Sequence, residues 1–403
     1  MTTTIISKAD DRENGARDVM TALGLSIGAA VALGLSRFAY GLLLPPMRAD
    51  LGWTYVEAGA LNTANGAGYI VGALAAAWTA SRWGTARAFL AGFAVSVLVL
   101  LLTAATTNLG VLVALRTVGG VSTAITFILG AGLVGAINPG HHSRRRGTLV
   151  GLYVAGVSVG ILLAGVVIPV ILQSGVHRWP EGWVVLGLFG AAGLPAAWWA
   201  ARRISTPPGG SMALLKANEF RQLAPTFVGY GLYGAGYAGY MTFIMALLQQ
   251  QGGSSEQLIW FWLVLALVST VSTMLWGSVL GNLRGGRGPA LIFAMCTLGT
   301  LPVLLASGPT AMFLSAIVFG GSFLAGPAAI TIVAQRQIPV SSWTAAIALM
   351  TAGFSFGQTI GPILAGAISD ATGNIAAGFW VSPVLLGLAA CANLLQRPSA
   401  LDA

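Results

Sequence analysis

Charge is what this 403-residue chain has least of: Asp, Glu, Lys and Arg make up 8% of it, against about 25% in ordinary soluble proteins. So few charges cannot cover the two or three soluble domains that this length would otherwise suggest. Soluble globular, disordered and fibrous classes are excluded. Cysteine is nearly missing too. Cys296 and Cys391 each lie inside an apolar run, which excludes a disulfide framework and a cysteine-based metal site. The three histidines, His141, His142 and His177, fall between apolar runs, so no metal-ligand set is expected at membrane depth. Of the 11 acidic residues none sits in the middle of such a run. Proton-driven pumps usually carry a buried carboxylate or histidine there.

What is present is apolar: 56% of residues are hydrophobic and the mean hydropathy is +0.81. A membrane-spanning helix needs roughly 20 mainly apolar residues. Twelve runs meet that requirement, at about 19–44, 54–80, 88–106, 109–136, 148–172, 182–201, 223–249, 257–281, 289–306, 309–334, 343–368 and 375–395. The fold class this implies is an all-α membrane protein. Glycine, at 55 residues, fits the same class, because small residues let membrane helices approach closely. The polar opening stretch of 18 residues lacks the charged n-region and cleavage site of a signal peptide, so the first span is expected to persist.

The net charge of +9 does not point to nucleic acid, because the basic residues are scattered between spans without interleaved aromatics. With the N-terminus placed in the cytoplasm, sixteen of the 20 Lys and Arg fall on the inner side, and two, Arg48 and Arg178, on the outer. Arg37 and Arg116 lie within spans. That bias places both termini inside. The longest inner connection, 202–222, contains Pro207-Pro208-Gly209-Gly210 and divides the chain into a bundle at 1–201 with a short N-terminal tail and a bundle at 223–403.

The two halves resemble each other at an offset near half the length. Gly156, Gly160 and Gly165 recur 201 residues later as Gly357, Gly361 and Gly366, and Gly119-Gly120 recurs as Gly320-Gly321. Gly34, Arg37 and Tyr40 face Gly234, Tyr237 and Tyr240 at an offset of 200. Two six-helix repeats related by an axis along the membrane normal are therefore expected.

Twelve spans in a 6 + 6 arrangement with a basic central loop resemble the major facilitator superfamily over the full length. The signature between spans 2 and 3 of that superfamily is degenerate here: Ser81 stands where it has Asp, before Arg82 and Gly84. The second copy begins at Gly277 but has Gly281 at the acidic position. Span 4 keeps Arg-x-x-x-Gly as Arg116 and Gly120, and span 11 carries a helix-bending element at Gly357, Gly361 and Pro362. More narrowly, Arg37-Phe38-Ala39-Tyr40 followed by Asn65-x-x-Gly68-Tyr69 resembles the YbfB-type bacterial branch. The resemblance implies alternating access, with Arg82, Gly84, Gly277, Gly357, Gly361 and Pro362 in gating or helix bending.

Three local patterns match other chemistries without their context. Gly229-Tyr-Gly-Leu-Tyr-Gly234 satisfies the dinucleotide fingerprint but lies inside a span, with no acid before Glu256. Gly156-Val-Ser158-Val-Gly160 satisfies a nucleophile elbow, yet Ser158 is mid-span with no histidine or acid near it. His141-His142 beside Arg144–Arg146 reads as a solvated loop that fixes topology. No enzyme activity, cofactor or metal is expected.

The candidate site consists of polar residues at membrane depth. Arg37 and Arg116 each lie eight residues from the outer end of their span, about 12 Å below the surface at 1.5 Å per residue. Tyr40, Asn65, Tyr69 and Gln358 accompany them. On the seventh span Tyr230, Tyr233, Tyr237 and Tyr240 fall within an arc of roughly 80°, and the last three are read as cavity-lining together with Arg37. The bland reading of each is helix packing. Glu57, near the outer end of span 2, is the candidate coupling carboxylate. Together these residues suggest a monomeric secondary transporter of the bacterial inner membrane that moves a small organic solute, an organic anion, with protons as a possible partner. The alternatives are a broad-specificity drug or metabolite exporter with structural arginines and, more distantly, a non-transporting sensor.

Overall fold

The computed structural model describes residues 2–137, 143–204, 215–339 and 342–398, with side chains from Gly15 onward except at 143–147 and a few positions near 275 and 344. The chain is all helix among these residues. α1 runs through Thr2–Ala29, Ala30–Phe38 and Ala39–Leu51 without a break, so the polar opening stretch expected as a tail is helical. Its middle segment, Ala30–Phe38, is a π-helix, from whose end the Ala39 N–H reaches back five residues to the Gly34 carbonyl. π-turns inside α-helices are uncommon and are frequently found at functional sites.

The remaining helices are α2 (Tyr55–Trp83), α3 (Thr85–Thr103), α4 (Leu109–Gly135), α5 (Ser143–Leu172) and α6 (Trp179–Ala201) in the first half. The second half has α7 (Ala217–Gln250), α8 (Ser255–Asn282), α9 (Arg287–Thr300 and Pro302–Leu305), α10 (Pro309–Phe323 and Gly326–Gln337), α11 (Trp343–Thr372) and α12 (Ile375–Phe379 and Val381–Leu394). Among the described residues eleven helices are long and apolar enough to cross a membrane. The helix that separates this count from the expected twelve is α2. It has 29 residues, but Asn62, Thr63, Asn65 and Thr79 make it too polar to qualify by composition. His141, His142 and residues 205–214 of the central connection, with its Pro-Pro-Gly-Gly stretch, lie outside the described residues, and the Arg144–Arg146 side chains are likewise not described.

The repeated glycines are where helices touch backbone to backbone. A Cβ on Gly156 would stand 2.2 Å from the Ser26 carbonyl oxygen, and one on Gly160 2.6 Å from that of Ala30, so α5 lies directly on α1. The same contact recurs 201 residues on. A Cβ on Gly357 would meet the Gly231 oxygen at 1.9 Å, and one on Gly361 the Ala235 oxygen at 2.1 Å, which seats α11 on α7. The third glycine of each set crosses to the other half: Gly165 faces Trp262 of α8, and Gly366 faces Tyr55 of α2. Gly120 against Asn65 of α2 and Gly320 against Leu265 of α8 complete the correspondence.

One end of the bundle carries Arg82, Arg202, Arg203, Arg284, Arg287 and Arg336 and is called here the basic end. The contacts between halves described by glycine packing and hydrogen bonds lie toward the opposite end. There α2 runs along α11, with Gly59 on the Pro362 carbonyl, Thr63 Oγ1 donating to the Thr359 carbonyl at 2.6 Å and Gly66 on Thr359. Gly41 of α1 abuts the Met241 carbonyl of α7.

If close backbone approach holds the helices of each half together, Gly120→Ala and Gly357→Ala should each lower the thermal midpoint by about 1–4 °C, since overpacking costs roughly 1–3 kcal/mol. Gly151→Ala, where an added Cβ meets nothing within 4 Å, should leave it unchanged. Equal midpoints for all three would contradict this packing.

Candidate substrate-binding site

Arg37 stands at the end of the π-helical segment, on the side of α1 that faces the other half. Its Nη2 donates to Oε1 of Gln358 on α11, and its guanidinium lies 5.3 Å from the centroid of the Tyr69 ring on α2. Gln358 is 2% exposed. Among the described residues no carboxylate pairs with Arg37. An amide and an aromatic face soften the cost of holding a cation here but do not cancel its charge. That uncompensated charge is the main electrostatic feature of the site.

Around it the walls are aromatic and amide. Phe38 meets Tyr237 edge-on, with centroids 6.3 Å apart, and Tyr237 stacks on Phe323 at 5.9 Å and on Phe354 at 6.0 Å. The Asn62 Nδ2 donates to Thr242 Oγ1, another link between α2 and α7. Arg37, Phe38, Gly41, Asn62, Tyr237, Met241 and Thr242 border a cavity of about 10 Å³, room for little more than one water molecule. Arg37 itself is half-buried.

The remaining sequence candidates are drawn into the interior of one half or the other. Arg116 is 2% exposed. Its Nη1 donates to the Ser36 carbonyl at 2.8 Å, with Tyr40 and Trp183 rings at 4.7 and 5.6 Å. It thus braces the π segment of α1 from inside the first bundle, while Nε and Nη2 meet no hydrogen-bond partner. The Tyr40 hydroxyl donates to the Ala58 carbonyl at 2.6 Å, and Asn65 Nδ2 to the Arg116 carbonyl at 3.3 Å. Arg37 and Arg116 share a level but take different sides of α1. The tyrosine stripe splits as well. Tyr233 donates to the Phe323 carbonyl, and Tyr240 bonds Ser315 at 2.8 Å while stacking on Phe319 at 3.8 Å, both inside the second bundle. Tyr230 and Tyr237, two turns apart, make stacking contacts instead.

Glu57 lies at the start of α2 in a capping box: its carboxylate accepts from the Thr54 N–H at 2.8 Å, and its own N–H donates to Thr54 Oγ1. Ser254 and Gln257 form the same box 200 residues later on α8. Of the gating candidates, Arg82 is exposed at the basic end, and Gly84 ends α2 with φ +84°, which favours glycine. Gly277 lies in α8 with surroundings that are not described. Gly357 and Gly361 seat α11 on α7, and the Pro362 carbonyl receives Gly59. Sequence reasoning missed Thr242, Thr359 and Asp370. Only Asp370 carries a signal in sequence, an acid in the last turn of a helix, where the macrodipole disfavours it.

A bundle of long apolar helices with charged and amide side chains among them fits a multi-pass membrane transporter. The chain belongs to the family described as the uncharacterised MFS-type transporter YbfB, whose model matches residues 29–394. It is similar to a chloramphenicol resistance protein of Streptomyces lividans, 28% identical over 387 residues, covering 90% of this chain and 92% of that one. Two solved structures share the fold. A bacterial homologue of the human lysosomal transporter Spinster, inward-facing and occupied, gives a TM-score of 0.75 at 15% identity over 93% of this chain and 96% of that one. The nucleoside transporter NupG gives 0.69 at 14% identity over 94% and 96%.

Arg116→Gln removes the brace under α1 and leaves the Ser36 carbonyl without that donor, so it should lower the thermal midpoint by several degrees, as losses of buried charged hydrogen bonds do. Arg37→Gln should change the midpoint by less than half as much. The reverse order would overturn the assignment of Arg116 to the fold and Arg37 to the site.

Proposed function

We propose that this protein is a secondary transporter that moves a small organic anion across the bacterial inner membrane by alternating access of its two six-helix halves. In this reading α2 is the twelfth span, the halves divide at 202–222, and both termini and the basic end face the cytoplasm. The contacts between halves at the far end then correspond to an inward-facing conformer. The observation that carries the substrate class is Arg37: a cation between the halves, beside Tyr69, Tyr237 and Gln358, with no carboxylate among the described residues to neutralise it. A solute anion fills that role, and its planar portion has aromatic walls to lie against. Glu57 is the carboxylate we assign to coupling, five residues or about 7.5 Å along α2 from Asn62.

A second reading, a drug exporter with Arg37 serving only to hold Gln358, draws on the similarity to the chloramphenicol resistance protein. Flux into inside-out and right-side-out vesicles separates the two. The anion reading expects aromatic carboxylates to be carried and to compete with one another, with lipophilic cations inert. Carriage of neutral and cationic drugs with no effect of carboxylates would replace it. In the same assay Glu57→Gln should flatten the pH dependence. The neutral Gln257 already closes the matching box on α8, so the variant keeps its cap and a change reads as coupling. An unaltered pH profile would remove Glu57 from that role.

A further inference from the structure

The start of α2 is completed by a residue of the other half. An isolated helix leaves its first N–H groups without partners. At α2 the third, from Glu57, is taken by Thr54 Oγ1 at 3.1 Å, and the fourth, from Ala58, by the Thr54 carbonyl. The first two go elsewhere. Tyr55 N–H donates to Asp370 Oδ1 at 2.9 Å, and Val56 N–H to Oδ2 at 2.8 Å. Asp370 lies in the last turn of α11, where the local dipole disfavours an acid, and its carboxylate is aimed at the positive end of a different helix. Neither end keeps this arrangement if the halves separate there.

The repeat shows that the contact belongs to one seam only. α5 and α8 correspond to α11 and α2, and Gly165 packs on Trp262 much as Gly366 packs on Tyr55. Yet the residue 201 before Asp370 is Pro169, which offers no carboxylate. The start of α8 is closed by Ser254 and Gln257 of its own half. One seam is therefore packed, and the other is both packed and pinned.

We propose that Asp370 is the latch that holds the two halves together at the end opposite the basic one, and that release of its carboxylate from the Tyr55 and Val56 amides is the step that opens that end. The account rests on the two-bundle reading above but not on the substrate class or on Arg37. The latch is polar and solvent-exposed, so it tunes a conformational equilibrium and does not lock it. Opening exchanges both hydrogen bonds for water. Asp370→Asn keeps the size, loses the charge and accepts one bond. Val56→Pro, in the first turn where proline is tolerated, deletes one donor and changes no charge.

Spin labels report the equilibrium directly in full-length protein with Cys296 and Cys391 replaced. One pair sits at Ala49 and Ala371, across the pinned end, and the other at Ser81 and Gln335, across the basic end; all four positions are exposed. Asp370→Asn, Asp370→Ala and Val56→Pro are each expected to add a longer distance to the first pair and a shorter one to the second. The open-to-closed ratio at the pinned end should rise by about threefold to tenfold, the range expected for exposed charge-assisted bonds. Distance distributions unchanged in all three variants would reduce Asp370 to a helix cap and overturn the latch. Broadening of both pairs together, without the opposed shift, would mean lost packing and would equally contradict it. Failure of anion transport in a protein that still shows the opposed shift would sink the substrate reading and leave the latch standing.

Discussion

The structure depends on helices that touch through their backbones. Between apolar helices in lipid there is little hydrophobic force, so association relies on close van der Waals contact and polar bonds. Gly156 and Gly160 press α5 onto α1, and Gly357 and Gly361 press α11 onto α7, at separations no larger residue allows. This pairing fixes which face of α1 and which of α11 turn toward the middle. Arg37 and Gln358 meet there as a consequence. The π segment of α1, braced by Arg116 through the Ser36 carbonyl, sets where along the helix Arg37 emerges.

The two arginines show how one residue type does different work beside one stretch of α1. Arg116 is enclosed by Ser36, Tyr40 and Trp183 and acts on the backbone of its own half. Arg37 reaches the other half and keeps an uncompensated charge where the halves meet. A half-buried cation without a counter-charge is costly at this depth. Retaining one where the halves meet makes sense if that charge is completed when a solute enters.

Much of this was legible before any coordinates. Apolar runs located the membrane-depth part of each helix, though not the helical stretch before residue 19, and the 201-residue offset located the glycines that carry the packing. Three features were not. Arg37 and Arg116 matched in depth, but depth says nothing about azimuth, and the π-turn alters azimuth without leaving a mark in the residue pattern. The tyrosines of α7 lie within one arc, yet about 60° separates the Tyr230–Tyr237 pair from the Tyr233–Tyr240 pair. That was enough to turn one pair inward. The Asp370 contact joins residues more than 300 apart; its only trace was an acid at the wrong end of a helix.

The central claim is that Arg37 is the anchor for an anionic solute, and affinity tests it most directly. The purified protein would be titrated with an aromatic carboxylate that stabilises it against heat, alongside folded Arg37→Lys and Arg37→Gln. A planar guanidinium makes paired bonds that an ammonium does not. Arg37→Lys should therefore weaken binding measurably, and Arg37→Gln by about tenfold to a hundredfold, the equivalent of roughly 1.5–3 kcal/mol for a charge-assisted bond. Equal affinity in all three proteins would contradict the account and leave Arg37 as a strut between α1 and α11.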